Sequence, residues 1–374
     1  MAVSLYPKIP EHLAGAVLSI DLDAVAENYR TLRRQLNGVE CGAVVKANAY
    51  GLGVEQVAPA LMGAGCQEFF VAHIDEGIRL RRVLPNTPIH ILNGLYEGAE
   101  QAFAEYGLIP VLGSLQEMAL WKRFCIDTPR PCDLHVDTGM LRLGLPPKEL
   151  AKVADEPNLI AGLDIQLVMS HLASADDATS PQNSEQLATF SRVRKIIPQG
   201  RASFCNSSGI FLGPEYHFDL GRPGVALYGA NPTPGHANPM QATVSLTARI
   251  SQVRDADVPE HVGYNATYAV SRPIRVATVP VGYADGVLRS LSNRSCGFIG
   301  DHRVPLIGRV SMDLITFDVS GVPQDQAQPG QWIEMIGPHH TVDDMARDAD
   351  TIGYEILTSL GRRYHRVYKG GVDV

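Results

Sequence analysis

The feature that most constrains the fold is a regular alternation of short apolar runs with longer amphipathic segments, from Val17 to about Tyr228. Apolar runs bounded by turn residues predict buried strands, and apolar residues spaced three and four apart predict helices. Strands are predicted at 17–22, 41–45, 69–72, 89–92, 109–112, 133–136, 166–170 and 201–205. Helices are predicted at 23–36, 54–63, 75–83, 114–124, 147–154 and 182–196.

Eight or so strand–helix units in series, without hairpin signals, predict a parallel (β/α)8 barrel. An open doubly wound sheet would carry a glycine-rich fingerprint in its first crossover, and this sequence has none. The chain is therefore predicted to be an α/β protein whose first domain, residues 1–235, is a (β/α)8 barrel.

The pattern changes after Tyr228. Residues 231–239 are rich in Pro, Asn and Gly, a composition typical of a linker. Strand-like runs without long helices between them follow at 242–253, 274–281, 303–306, 314–319 and 332–335. Short helices are predicted near 342–346 and 352–360. Residues 236–374 are therefore predicted to form a mostly β C-terminal domain.

Composition excludes several classes of function. The formal net charge is −8 and no Lys/Arg run resembles a polyanion site, which argues against nucleic-acid binding. No apolar run is long enough to span a bilayer and the amino terminus does not resemble a signal peptide, so we expect a cytoplasmic protein. The six cysteines form no CxxC pair and are predicted to be reduced core residues. No metal site is expected, since the His339-His340 pair lies in a Pro-flanked loop without evident further ligands.

Lys46 is the first candidate for chemistry. It follows the apolar run 43–45 and precedes Tyr50, Gly51 and Gly53. A lysine at the end of a strand often snorkels to solvent. A lysine held at the edge of a packed core instead loses solvation, which lowers its pKa and makes the amine a better nucleophile for Schiff-base formation.

Other polar residues lie in segments that also follow apolar runs, namely Arg142 in VDTGMLRLG, His171, Asn206-Ser207 and Arg222. Chemistry in a (β/α)8 barrel sits at the carboxyl ends of the strands, so these residues are expected to lie close together. Segments 206–209 and 221–225 offer hydroxyls, glycines and backbone amides after the last barrel strands, where barrels commonly bind phosphate. Each is typical of an ordinary loop by itself. Together with Lys46 they predict pyridoxal 5′-phosphate as the cofactor.

Nine segments, in this order and at these spacings, resemble those of the alanine racemases, bacterial fold-type III pyridoxal-phosphate enzymes. They are VVKANAYGLG, VDTGMLRLG, SHLASAD, FCNSSG, GRPGVALYG, VGYNATY, VGYADG, GRVSMD and TIGYEIL. The resemblance covers nearly the whole chain. It implies interconversion of L-alanine and D-alanine, D-alanine supply for peptidoglycan, and a homodimer with shared active sites.

The resemblance also implies residue roles. Lys46 carries the cofactor and is one of two acid/base groups. Racemisation removes the α-proton from one face of the substrate carbon and returns it on the other, so a second base is required. The matching residue is Tyr264, which in this family reaches the barrel of the other subunit. A phenol with a pKa of about 10 is a poor base at neutral pH, and the family supplies a hydrogen-bond chain from this tyrosine to His171 and on to Arg222.

Further residues are matched one by one. Arg222 corresponds to the partner of the pyridine nitrogen, and a guanidinium there donates a hydrogen bond without giving up its proton. The phosphate is expected to contact Tyr50, Ser207, Gly224, Val225 and Tyr354, and Asn206 is expected to bind the cofactor as well. Arg142 matches the residue that contacts the cofactor's phenolic oxygen and the substrate carboxylate. Met312 and Asp313 of the second subunit match the substrate-carboxylate side of the pocket. The narrow corridor to the site matches Asp176, Tyr283, Arg289, Arg309 and Ile352.

Two positions depart from the family pattern. His135 stands where the family often has a carbamylated lysine near the arginine that matches Arg142, so we expect a chloride or a direct His135 hydrogen bond to replace it. Asn265 stands beside Tyr264 where glycine is frequent, which leaves a broad-specificity or serine racemase as the alternative to an alanine racemase.

Two other functions are disfavoured. Arg222 argues against a basic amino-acid decarboxylase, and the presence of the β domain argues against a single-barrel pyridoxal-phosphate carrier.

Overall fold

Two large sheets organise the chain, which the computed structural model describes over residues 10–371. The strands are β1 (Ala16–Asp21), β2 (Glu40–Cys41), β3 (Ala43–Val44), β4 (Phe69–Val71), β5 (Ile89–Ile91), β6 (Ile109–Leu112), β7 (Pro131–His135), β8 (Asp164–Met169), β9 (Arg201–Ser203), β10 (Leu220–Gly221), β11 (Val244–Arg249), β12 (Gln252–Ala256), β13 (His261–Val262), β14 (Tyr268–Ala269), β15 (Ile274–Val279), β16 (Cys296–Ile299), β17 (His302–Ile307), β18 (Ile315–Asp318), β19 (Trp332–Ile336) and β20 (His365–Lys369).

The helices lie mostly between the strands of the first sheet. They are α1 (Leu22–Leu36), α2 (Lys46–Tyr50), α3 (Val54–Gly63), α4 (Ile74–Arg81), α5 (Glu100–Tyr106), α6 (Leu115–Phe124), α7 (Pro147–Asp155), α8 (Pro181–Ile196), α9 (Val342–Asp348) and α10 (Gly353–Ser359). No helix within residues 10–371 is long and apolar enough to cross a bilayer.

The predicted barrel is confirmed. Strands β3 to β9 pair in parallel and in chain order. Strand β10 closes the barrel: it pairs with β2, while Arg222 N–H donates to Cys205 O at 3.0 Å and Asp219 N–H to Ala202 O at 3.0 Å. Strands β2 and β3 together occupy one position of the barrel, interrupted at Gly42. With β4 to β10, the barrel therefore has eight strand positions.

One strand prediction was wrong in its placement. Residues 17–22 do form a strand, β1, but it pairs antiparallel with β11 and parallel with β20 in the second sheet rather than with the barrel. Its apolar run would suit a buried strand of either sheet, so the pattern alone does not choose between them. The eighth barrel position is filled instead by β10, whose two residues are too few for a recognisable pattern.

The predicted mostly β C-terminal region is confirmed. Nine strands join in the order β12-β15-β18-β17-β16-β19-β11-β1-β20, with α9 and α10 inserted before the last strand. The sequence pattern missed β16 and β20, whose residues do not alternate cleanly between apolar and polar. The chain leaves the barrel after Tyr228 and enters the second sheet at Val244. The boundary between residues 235 and 236 stays a prediction.

Helix α1 illustrates how the barrel helices are specified. Asp21 caps its first turn by accepting the Ala24 N–H at 2.8 Å, and Asn37 ends it in a left-handed conformation with φ of 49°. Its buried residues include Val25 and Leu32, seven positions apart on one face.

The six cysteines are all buried and unpaired, as the sequence predicts.

Candidate active site

A cavity of about 530 Å³ opens at the carboxyl ends of the barrel strands. This volume lies in the range of small-molecule sites. All ten residues predicted to bind the cofactor line it, namely Lys46, Tyr50, Arg142, His171, Asn206, Ser207, Arg222, Gly224, Val225 and Tyr354. His135 lines it as well. The structure therefore brings together, in one place, side chains that are up to 308 residues apart in sequence.

Lys46 stands at the start of a left-handed turn. Ala47, Asn48, Ala49 and Tyr50 have φ values of 53°, 57°, 54° and 51°. This conformation is disfavoured for L-residues with a Cβ, and a run of four is unusual. One helical turn places residues i and i+4 on the same face, so the Lys46 and Tyr50 side chains both reach the cavity.

The charge environment suits Lys46 as a nucleophile. Burial lowers the pKa of the Lys46 amine, and the nearby Arg142 guanidinium lowers this pKa further, while the Glu76 carboxylate opposes both. A larger fraction of the amine is therefore neutral than for an exposed lysine. Schiff-base formation with an aldehyde needs that neutral form.

Arg222 is the most buried cation of the cavity, with only 5% of its surface exposed. Its Nη2 donates to the Ser170 carbonyl at 2.6 Å and its Nη1 donates to the Ser203 hydroxyl. Burial lowers the pKa of Arg222 to about 10, partly offset by Asp133, so the guanidinium is protonated at neutral pH. The side chain is fixed and remains a hydrogen-bond donor.

Two histidines beside Arg222 are neutral at pH 7. Burial and then the Arg222 charge lower the pKa of His135 to about 4, and the same two causes hold the pKa of His171 well below its usual range. Within residues 10–371, no hydrogen bond links the His171 ring to Arg222, since the recorded Arg222 donors bond to Ser170 and Ser203. The predicted link between these two side chains is therefore not formed in this single chain.

Hydrogen bonds join the two segments that are expected to hold the phosphate, 206–209 and 221–225. The Ser207 hydroxyl accepts the N–H groups of Gly224 at 2.9 Å and Ala226 at 3.3 Å, and the Asn206 side chain accepts that of Gly209 at 2.9 Å. A Cβ added at Gly224 would overlap the Tyr50 hydroxyl. A hydroxyl, backbone amides and a glycine that permits close approach form a cradle that suits a phosphate.

Two tyrosines, Tyr50 and Tyr354, line the cavity beside this cradle. The Tyr50 ring stacks on Tyr228 with 4.7 Å between centroids and lies 6.1 Å from Tyr354. Burial raises the pKa of Tyr50, and burial together with Asp176 raises the pKa of Tyr354 to about 12. Both phenols are therefore neutral hydroxyl donors at physiological pH. Together with Lys46 and the arginines, the donor set fits pyridoxal phosphate, an anionic aromatic aldehyde.

The remaining predicted residues do not line this cavity. Asp176 and Ile352 line a neighbouring cavity of about 770 Å³ that shares His171, Asn206 and Tyr354 with the first. Six others lie on loops of the C-terminal region, namely Tyr264, Tyr283, Arg289, Arg309, Met312 and Asp313. Hydrogen bonds join these loops to one another: Tyr283 N–H donates to Ser311 O and Val310 N–H donates to the Ser292 hydroxyl, both at 3.0 Å. The Asn293 side chain donates to the Thr267 hydroxyl at 3.4 Å, which joins the Tyr264 loop to the others. The loops thus form one surface.

The two departures from the family pattern have structural counterparts. Asn265 has φ of 59°, a left-handed conformation that glycine adopts freely and that asparagine tolerates better than most residues, so the backbone accommodates this departure. His135 makes no hydrogen bond to Arg142 within the described range. The direct contact expected between them is therefore not made, and the chloride stays a prediction.

His340, which the sequence left without supporting ligands, has two potential ones nearby. Its ligating atom lies within 4.8 Å of those of Cys296 and Asp348. Its Nδ1 is 3.0 Å from the Met335 carbonyl and its Nε2 is 3.1 Å from an Asp348 oxygen. Both ring nitrogens thus face protein oxygen atoms.

Sequence reasoning missed further residues of the cavity wall, including Asn93, Tyr96 and Ser170. They follow strands β5 and β8, so the rule that placed Lys46 at a strand end could have found them. Glu76, whose carboxylate accepts the Ala47 N–H, was missed as well. It lies in the first turn of α4, where an acidic residue is ordinary and gives no signal.

Comparison with known proteins places these observations in a family. The family model of the alanine racemase N-terminal domain matches residues 20–232, and that of the C-terminal domain matches residues 243–368. An alanine racemase of Rhodospirillum rubrum is 51% identical over 364 residues, covering 96% of this chain and 97% of the relative. A catabolic alanine racemase of Mesorhizobium japonicum is 47% identical, covering 97% of this chain and 96% of the relative.

Solved structures agree with the sequence comparison. The crystal structure of an alanine racemase from Bartonella henselae with covalently bound pyridoxal phosphate has a TM-score of 0.92 and 44% identity, covering 95% of this chain and 100% of that one. The biosynthetic alanine racemase of Pseudomonas aeruginosa has a TM-score of 0.89 and 33% identity, covering 96% of this chain and 100% of that one. The likeness extends over both the barrel and the second sheet.

Proposed function

Because this chain belongs to the alanine racemase family, a family of pyridoxal-phosphate enzymes, we propose that it interconverts L-alanine and D-alanine by a two-base mechanism. The observation that carries the proposal is the single cavity in which Lys46, Arg222 and the Ser207–Gly224 cradle meet. Bound pyridoxal phosphate withdraws electrons from the substrate Cα and makes its proton removable. The protein residues bind, orient and exchange that proton.

Lys46 is assigned the first of the two acid/base roles. Its partial burial and its position at the end of β3 support this role, since the amine is accessible from the cavity and its pKa is lowered. As one group on one face of the substrate carbon, Lys46 exchanges only the proton on that face. Inversion needs a second group opposite to it.

Tyr264 of a partner subunit is assigned the second role. In a single chain its side chain is 69% exposed and lies outside the cavity. Other apolar side chains of the same loops are exposed too, namely Tyr283 at 45%, Met312 at 53% and Leu314 at 47%. Exposed apolar patches of this kind mark contact surfaces.

Exposed apolar residues also lie in and beside the cavity: Leu143, which lines it, is 46% exposed, Leu141 of the same loop is 86% exposed, and Ile352 of the neighbouring cavity is 60% exposed. A two-fold dimer in which the Tyr264 loops of one subunit cover the mouth of the other would bury both sets at once. It would also bring Met312 and Asp313 to the substrate-carboxylate side, opposite Arg142. We therefore propose a homodimer with shared active sites.

Arg222 is assigned to the pyridine nitrogen. It is buried, held by Ser170 and Ser203, and protonated, so it donates a hydrogen bond to that nitrogen without transferring a proton. A pyridine ring that receives no proton is a weaker electron sink. This favours returning the proton to Cα over transamination and over decarboxylation, the reaction of the rival decarboxylase class.

Alanine is the proposed substrate, and the broad-specificity or serine racemase is not favoured, since the relatives and structures compared above are alanine racemases. A pocket closed by tyrosines and Met312 suits a methyl side chain. Hydrophobic pockets discriminate one methylene by only about 1–3 kcal/mol, so slower turnover of serine is compatible with the same site. The proposed role is D-alanine supply for peptidoglycan.

The test is to incubate the purified holoenzyme separately with L-alanine, L-serine and L-lysine and to quantify each D-enantiomer by chiral chromatography. We expect D-alanine to form until both enantiomers are equal, with serine slower and lysine unchanged. Lack of D-alanine would overturn the proposal. Faster conversion of serine than of alanine would favour the alternative.

A further inference from the structure

The Glu76 carboxylate joins the Lys46 turn to the neighbouring strand–helix unit. Its Oε1 accepts the N–H of Ala47 at 2.5 Å. Its Oε2 accepts the N–H groups of Ala72 at 2.9 Å and His73 at 3.2 Å, where β4 leads into α4. Both carboxylate oxygens are thus used, and one side chain ties the residue after Lys46 to the adjacent barrel position.

The turn needs such support because its backbone is strained. Residues 47–50 all have positive φ, although none is glycine. The first N–H groups of any helical turn also lack partners within the turn, and the Ala47 N–H is one of these. Glu76 supplies that partner as a charged acceptor, the stronger kind of hydrogen bond. At the other end, the Asn48 side chain accepts the Val54 N–H at 3.1 Å.

We propose that Glu76 is a positioning residue of the active site, which holds the left-handed turn so that Lys46 and Tyr50 both face the cavity. The assignment rests on the proposed function, in which Lys46 carries the cofactor and Tyr50 contacts its phosphate. Without the Glu76 bridge, the strained turn can relax toward ordinary backbone conformations. Relaxation would move the Lys46 amine and the Tyr50 hydroxyl away from each other.

Electrostatics add a second consequence. Glu76 favours the charged form of the Lys46 amine, against burial and Arg142. A neutral side chain in place of Glu76 therefore lowers the pKa of Lys46. A side chain that only contributed to folding stability would not shift the titration of this particular amine, so the shift is a specific readout of the role.

Glu117 provides a matched control two units along the barrel. It lies in the first turn of α6, and its Oε2 accepts the N–H of Gly113, directly after β6, at 2.5 Å. It therefore supports a strand–helix connection in the same way as Glu76. It does not contact the Lys46 turn and does not line the cavity.

The experiment compares E76Q and E117Q as apoenzymes. Cofactor affinity is measured by titration with pyridoxal phosphate, and the pH dependence of Lys46 acylation by acetic anhydride is followed by mass spectrometry. We expect E76Q to bind the cofactor about tenfold more weakly or worse, since a misplacement of about 1 Å is costly at a preorganised site. We also expect its acylation midpoint to move to lower pH. E117Q should match the wild type in both readouts.

A47G in the E76Q background provides a rescue, because glycine adopts positive φ without the Cβ penalty. Partial recovery of cofactor affinity is expected. Equal losses in E76Q and E117Q, or an E76Q variant that binds the cofactor and titrates as the wild type does, would overturn the proposal. Neither readout needs a substrate, so the outcome is independent of whether alanine is racemised.

Discussion

Arg363 binds both carboxylate oxygens of the buried Asp285, through Nε at 2.6 Å and Nη2 at 2.7 Å. Its third donor, Nη1, reaches Asp313 at 2.7 Å. Asp285 also accepts the Gly282 N–H at 2.9 Å. One guanidinium thus fixes the loop that carries Asp313 to the loop that begins at Gly282, on the surface proposed to complete a partner's active site.

The first prediction concerns this arginine. In Arg363→Gln, the carboxylate of Asp285 loses its bidentate partner and the Asp313 loop is released. Because Arg363 itself is 40% exposed, the expected loss of unfolding free energy is modest, about 1–2 kcal/mol, measured by urea denaturation. The Michaelis constant for L-alanine should rise more than kcat falls. Arg30→Gln, which removes the exposed pair with Glu27 on α1, should leave the unfolding free energy and both kinetic constants unchanged. A larger effect of Arg30→Gln would argue against the role.

The second prediction concerns the phosphate cradle. In Gly224→Ala, the added Cβ overlaps the Tyr50 hydroxyl, so either the tyrosine or the loop must move. We expect pyridoxal-phosphate affinity to fall by about tenfold or more, while the unfolding free energy of the apoenzyme falls by no more than about 1–3 kcal/mol. Titration of the apoenzyme measures the first quantity and denaturation the second.

Gly321→Ala is the control for the second prediction. No heavy atom lies within 4 Å of a Cβ at Gly321. This variant should bind the cofactor as the wild type does. Unaltered affinity in Gly224→Ala would mean that the phosphate does not sit against this loop.

The third prediction concerns pH. Burial and Arg222 lower the pKa of His135 to about 4 in the folded chain, and Asp137 opposes them only in part. The unfolded chain, with an ordinary histidine pKa of about 6.5, binds the proton first as the pH falls. Keeping His135 neutral therefore costs no folding stability above a pH of about 6.5. As the pH falls from about 6.5 toward 4, the folded chain loses stability relative to the unfolded chain, which is already protonated at this histidine.

His135→Gln removes this titrating side chain and, with it, this loss of stability at low pH. Between pH 6.5 and 5 the apoenzyme of the wild type should lose about 1–2 kcal/mol more unfolding free energy than the variant. Urea denaturation at the two pH values measures the difference. Parallel losses in both proteins would show that His135 is not kept neutral by the fold.

The barrel was predictable because its signal is repeated. Each strand from β4 to β8 is a short apolar run followed by an α-helix, and each prediction supports the next. Strand β1 has the same local pattern, yet it pairs with β11 and β20. Its placement depends on partners more than 200 residues away, which a local pattern does not contain. Strand β10 has only two residues, so its role in closing the barrel is visible only from its hydrogen bonds.

The site was predictable to the extent that strand ends point to it. Lys46 and Arg222 each follow an apolar run and meet at one end of the barrel. The left-handed turn was not predictable, since Ala47 and Ala49 are strong formers of right-handed helix and nothing in their sequence signals positive φ. The carboxylate that accepts the Ala47 N–H belongs to Glu76, a residue of a different strand–helix unit, and the Arg363–Asp285 pair joins residues 78 apart.

The central claim, an active site built from two chains, is tested most directly by mixing two inactive variants. Lys46→Ala and Tyr264→Phe are each expected to lack racemase activity, because each removes one of the two bases. After equal amounts are unfolded together and refolded with pyridoxal phosphate, half of the dimers are mixed, and one of the two sites in each mixed dimer has both bases.

A shared site therefore gives about 25% of wild-type D-alanine formation in the mixture and only residual activity in either variant alone, as isologous two-fold symmetry requires. An inactive mixture, with mixed dimers verified by differential tags, would contradict it and place both bases within one chain.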